Sequence, residues 1–216
     1  MHLIQGKNKN LANKESAKIL VISDSHGQTR NLRSVLEAQK NTCDALVFTG
    51  DGIMDLITIM EEDFNSPPEH KILPQNVIFV RGNGDSPYYN FFTDKPQILQ
   101  IPEDASFTVA HKKIFVTHGH FFGVYYSTQE LLDYLEKNRF DAGLFGHTHV
   151  PFAKFSNDIL LLNAGSISLP RNNSQKSYAV LTVTKENIKY EFFELSLKQG
   201  MYLAQPPLQR FELFDF

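Results

Sequence analysis

The chain has 216 residues, 42% of them hydrophobic, enough for one sizeable core, and its composition excludes collagen, coiled coil and wholesale disorder. Its 21 Lys and Arg against 24 Asp and Glu leave a formal charge of -3, so no whole-chain basic field draws nucleic acid polymers or anionic membranes. The single Cys43 has no internal disulfide partner, no stretch approaches the roughly 18 to 20 apolar residues of a membrane-spanning helix, and the polar start lacks a signal-like run; a reduced, cytoplasmic setting is expected.

Residues 1–17 are dominated by Asn and Lys, with little to bury, and are expected to form a mobile lead-in to a domain over 18–196. The runs Ile19 to Ile22, Ala45 to Phe48 and Val77 to Val80 are apolar at every position, as strands covered on both sides of a sheet must be. Between the first two, Leu32, Val35 and Leu36 recur at helical spacing within Gln28 to Lys40, and Met54, Ile57 and Met60 do the same within Ile53 to Asp63. Pro67, Pro68 and Pro74 predict a surface connection over 65–75.

Further on, Phe107 to Ala110 and Ile114 to Thr117 flank a polar HKK turn and predict a hairpin. Ser127 and Glu130 form a capping-box pattern that opens a helix through Leu131, Leu132 and Leu135. Strands are expected at 142–145, 152–155, 159–162, 178–183 and 188–193. Residues 197–216 form an extension whose apolar groups, concentrated in 207–216, should dock on the domain or on a neighbouring subunit, so a homo-oligomer is allowed. This grammar predicts an α/β fold, a four-layer α-β-β-α sandwich of two mixed sheets with flanking helices. Ligands then belong in the crevice beyond the carboxyl ends of the strands.

The residues that end the predicted strands carry the chemistry. They are Asp24-Ser25-His26, Gly50-Asp51, Gly82-Asn83-Gly84-Asp85, His118-Gly119-His120 and Gly146-His147-Thr148-His149. Five of the eight histidines fall there, beside glycines that let a chain turn sharply at a strand end. Oxygen and imidazole donors without thiolates suit divalent manganese, iron, zinc, cobalt or nickel, and magnesium less well, and they exclude an iron-sulfur cluster.

As an ordered set, D-x-H, GD, GN-x-D, HGH and GHTH, followed by Asn163-Ala164-Gly165-Ser166, resemble the calcineurin-like metallophosphoesterase superfamily. Within it the likeness is to the small bacterial and archaeal phosphodiesterase-like branch related to a retromer subunit. The resemblance spans roughly 18–193 and implies a binuclear centre with two divalent ions, manganese favoured. One ion would take Asp24, His26, Asp51 and His149, the other Asp51, Asn83, His118 and His147, with Asp51 bridging. It further implies that a hydroxide between the ions hydrolyses a small phosphate ester, preferentially a diester. Gly84 departs from the pattern, because many members carry there the His that protonates the leaving group; His120 is the candidate substitute acid. The alternative implied by the retromer likeness is a metal-binding scaffold that acts through protein contacts.

Overall fold

A computed structural model describes residues 2–3, 9–198 and 201–207. The strands begin with β1 (His2–Leu3), β2 (Ser16–Ile22), β3 (Ala45–Phe48) and β4 (Asn76–Phe79). An exposed ribbon, β5 (Tyr88–Phe92) and β6 (Pro96–Gln100), precedes the hairpin β7 (Asp104–Val109) and β8 (Lys112–Thr117). Then come β9 (Ala142–Phe145), β10 (Pro151–Ser156), β11 (Ile159–Ala164), β12 (Ser177–Thr184), β13 (Ile188–Lys198) and β14 (Met201–Pro207). The α-helices are α1 (Lys9–Ala12), α2 (Thr29–Ala38), α3 (Ile53–Asn65) and α4 (Gln129–Asn138).

Two mixed sheets form the body, one ordered β1-β4-β3-β2-β12-β13-β14 and the other β10-β11-β9-β8-β7. In the first, β1, β4, β3 and β2 run parallel while β12, β13 and β14 are antiparallel. In the second, β8, β9 and β11 are parallel, edged by antiparallel β7 and β10. Side-chain alternation along β2 shows why its run is apolar throughout: Ile19 and Val21 enter the core between the sheets, and Leu20 and Ile22 pack under the helices. Leu32, Val35 and Leu36 of α2 and Leu56, Ile57 and Met60 of α3 cover that outer face. Leu131, Leu132 and Leu135 of α4 cover the other sheet through Phe115, Phe145 and Leu161. The order of layers is helix, sheet, sheet, helix, as the sequence pattern predicts.

The start of α4 differs from the capping-box expectation. Thr128, not Ser127, is the N-cap, and Ser127 Oγ accepts a hydrogen bond from the Gln129 N–H at 3.1 Å. Glu130 therefore sits too early to close a reciprocal box, because Gln129 is already the first helical residue. Within 1–17, β1 pairs with β4, Leu11 of α1 is fully buried between the sheets, and β2 starts at Ser16, so part of this segment packs with the domain. Of the 197–216 extension, β14 pairs antiparallel with β13 and adds an edge strand to the first sheet; 208–216 lie outside the described residues. Among the described residues no helix is long and apolar enough to cross a membrane.

Candidate metal centre

The parallel strands β2, β3 and β4 of one sheet and β8 and β9 of the other all end at the same edge of the sandwich. Each predicted cluster occupies the turn that follows one of them. Parallel strands put all their carboxyl ends on one side, so five separate stretches of sequence meet in one place. Ligating atoms of Asp24, His26, Asp51 and His149 lie within 4.8 Å of one another. His149 Nε2 is 3.2 Å from Asp24 Oδ1, and His26 Nε2 is 3.7 Å from Asp24 Oδ1 and 3.8 Å from Asp51 Oδ2. His118 Nε2 lies 3.5 Å from the same Asp51 Oδ2.

Hydrogen bonds outside this cluster fix which nitrogens face it. The backbone carbonyls of Thr49 and Leu169 each lie 2.7 Å from an Nδ1, of His118 and His149 respectively. A carbonyl only accepts, so each Nδ1 carries the proton, and in the neutral ring Nε2 turns its lone pair inward. His26 Nε2 and His149 Nε2 then face each other at 3.1 Å beside a carboxylate. Acceptors crowded this closely need a proton or a cation among them. Among the described residues, Asp24 Oδ1 and His118 Nε2 are buried with no hydrogen-bond partner, which a metal bond would supply. The donor set therefore fits a divalent ion.

Charges follow the same geometry. Burial would raise the Asp24 carboxyl, but the His149 and His26 imidazoles beside it outweigh that and hold the group well below the ordinary carboxylate range. Asp51 is likewise lowered, with burial opposed by the His118 imidazole. His26 is raised, chiefly by the Asp24 carboxylate beside it. His118 is also raised, because Asp51 and Asp24 overcome the burial that would depress it.

Backbone conformation marks the same residues. Asp24, His26, Asp51, His147 and His149 all take positive φ, between 44° and 71°, where residues with a Cβ are uncommon. Such conformations cost on the order of 1 to 3 kcal/mol each and persist where surrounding contacts over-determine them. Those contacts are present. Asp55 of α3 accepts from Ser25 Oγ, the Gly27 N–H and Thr29 Oγ1 at 2.6, 2.9 and 2.6 Å, which locks the turn carrying His26. Asp85 accepts from the N–H groups of Asp51, Gly52, Ile53 and Gly82 at 2.7 to 3.0 Å, so it clasps the Asp51 turn and serves the start of α3. Ser166 and Ser168 hydroxyls donate to the Asp24 carbonyl, and Asn163 Nδ2 donates to the Gly146 carbonyl. Gly82 answers to close approach: a Cβ there would stand 2.1 Å from Asp51 Oδ1.

The remaining predicted residues lie toward the rim. Asn83 is exposed in the turn whose Gly84 N–H donates to Asp51 Oδ1 at 2.7 Å. The His147 ring is 5.1 Å from that of His118, and its backbone N–H reaches Asp24 Oδ2 at 3.2 Å. His120 lies 5.5 Å from His118 and 6.1 Å from His147, ring centre to ring centre, with Nδ1 buried and unpartnered among the described residues. Burial, reinforced by the neighbouring imidazoles, lowers both His120 and His147. Arg81 is taken up by Glu103. Sequence reading missed Asp55, Ser166 as an Asp24 clamp, and Ser168. An acidic residue in the first turn of α3 was the visible signal for Asp55.

Residues 17–186 match the calcineurin-like phosphoesterase superfamily domain. The chain is 27% identical over 176 residues to the probable metallophosphoesterase YsnB of Bacillus subtilis, covering 82% of this chain and 90% of that protein. It is 29% identical over 182 residues to the phosphodiesterase YfcE of Escherichia coli, covering 76% and 86%. Vacuolar protein sorting 29 of Cryptosporidium parvum shares the fold, with a TM-score of 0.66 at 18% identity over 91% of this chain and all of that one.

Proposed function

The chain belongs to the calcineurin-like phosphoesterase superfamily, and from that membership we propose that it is a binuclear metal-dependent phosphodiesterase acting on small phosphate esters. The observation that carries this reading is the convergence of ligating atoms of Asp24, His26, Asp51 and His149 within 4.8 Å, with His118 Nε2 3.5 Å from the same Asp51 carboxylate. Asp24, His26, Asp51 and His149 would hold one ion; Asp51, Asn83, His118 and His147 would hold the second. Two divalent ions, manganese favoured, would supply an activated water and charge neutralisation at the phosphoryl oxygens.

The chain's own residues do the rest. Thr49 and Leu169 carbonyls keep the His118 and His149 tautomers with Nε2 free. Neutral Asn83 offers a carbonyl oxygen without adding charge against an anionic substrate. His120, beside His118 and His147, would hold a proton for the departing alkoxide in place of the missing side chain at Gly84. Aryl leaving groups, which need little protonation, should be turned over best. The names of the relatives support phosphoester hydrolysis, and a reduced, cytoplasmic setting accords with the lone Cys43.

A scaffold reading draws support from Gly84 and from the fold shared with vacuolar protein sorting 29. One assay separates the two: hydrolysis of bis(4-nitrophenyl) phosphate titrated with manganese, for the wild type and Asp51→Asn. We expect metal-dependent turnover that falls roughly 10³-fold in the variant. No turnover above the uncatalysed rate at any manganese concentration, in either protein, would favour the scaffold.

A further inference from the structure

Beside the metal centre, the segment that follows β8 exposes aromatic rings where a soluble surface ordinarily places polar groups. Phe122 and Val124 turn inward against the second sheet's outer core, while Phe121, Tyr125 and Tyr126 remain 64%, 51% and 88% exposed. Hydrogen bonds from the Phe122 N–H to the Gly119 carbonyl and from the Tyr126 N–H to the Gly123 carbonyl, both 2.9 Å, make the segment a run of closed turns. Its position relative to the chemistry is fixed. The Tyr125 ring lies 6.1 Å from that of His147, edge to face, and 5.9 Å from that of Tyr126.

A cation completes the arrangement. The Arg171 guanidinium stands 5.8 Å over the Tyr125 ring, and its backbone N–H donates to the His149 carbonyl at 3.1 Å. Arg171 is exposed, and among the described residues no carboxylate pairs with it. An unpaired, planar cation braced on an aromatic face one residue contact away from a metal donor is placed to meet an anion. Exposed rings next to it offer stacking surface to any flat group attached to that anion, worth a sequence-tolerant gain for each base stacked.

We propose that Tyr125 and Tyr126, with Arg171, form a subsite for the planar aromatic arm of the substrate, and that the natural substrate is a nucleotide ester whose base stacks on these tyrosines. The inference rests on the phosphoesterase reading and deepens it, because it names which substituent the site grips. Tyr125 and Tyr126 act on the base; Arg171 acts on the phosphate or on a second anionic group beside it.

Calorimetric titration of the manganese-loaded full chain tests this without turnover. Adenosine 5′-monophosphate and ribose 5-phosphate carry the same phosphate and sugar and differ in the base. The nucleotide should bind about tenfold more tightly to the wild type. That ratio should fall toward one in Tyr125→Ala and Tyr126→Ala, whereas Arg171→Gln should weaken both ligands alike. Equal affinities in the wild type, or a ratio that survives both tyrosine variants, would overturn the subsite while leaving the metal centre standing. A separate titration of the metal-free full chain with manganese reads metal uptake; its absence would defeat the phosphoesterase reading and the subsite with it.

Discussion

The inner and outer halves of the donor cluster are built differently. Asp24, Asp51, His118 and His149 are buried, their turns are clasped by Asp85, Ser166 and Ser168, and their imidazoles are oriented by backbone carbonyls. Asn83 is exposed and His120 and His147 are half-buried, and among the described residues no backbone carbonyl is bonded to either of those two rings. The inner half is thus held in place by the protein's own hydrogen bonds, whereas the rim side chains have fewer such supports. Preorganisation by a supporting layer of hydrogen bonds is what allows five unfavourable backbone conformations to coexist in one small volume.

Breaking the support of the inner half should do the most damage. Asp85→Ala strands four backbone N–H groups and frees the Asp51 turn, so we expect a loss of about 3 kcal/mol in denaturant unfolding. A midpoint unchanged from wild type would show that water replaces the carboxylate. Next in size, Asp55→Ala removes three hydrogen bonds from the turn carrying His26 and should weaken manganese binding roughly 10- to 100-fold by calorimetry.

At the rim, His120→Ala should slow alkyl esters about tenfold more than 4-nitrophenyl esters. Equal slowing across leaving groups would remove His120 from proton transfer.

The smallest effect is the most diagnostic of the two halves. In the metal-free protein, ring titration by NMR should place His26 and His118 above the ordinary imidazole value of 6.5 and His120 and His147 below it. The signs follow from linkage. Raised groups stabilise the fold fully below 6.5, and that contribution is lost as pH rises through their folded values. Lowered groups contribute above 6.5 and lose that contribution as pH falls through theirs. All four titrating together would erase the distinction.

Much of this was legible in the sequence because burial and chemistry left separate marks. Ile19 to Ile22 had to be apolar at every position to face two layers, and the polar residues directly after such runs had to lie at the sheet's edge. What stayed hidden depended on non-local partners. Asp55 looks like an ordinary acidic residue near a helix start until the 25–29 turn folds over it. The β5–β6 ribbon, with Tyr88, Phe92 and Ile98 exposed, lacks the alternation that marks a half-buried strand. The capping-box pattern at Ser127 failed because the chain enters α4 one residue later than the spacing implies. Tyr125 and Tyr126 could equally have been core residues by composition, and only their exposure beside His147 set them apart.

Anomalous diffraction from crystals grown with manganese addresses the central claim most directly. We expect one peak within bonding distance of Asp24, His26, Asp51 and His149 and a second shared between Asp51 and His118. A map with strong protein density and no peak beside Asp51 would contradict the account.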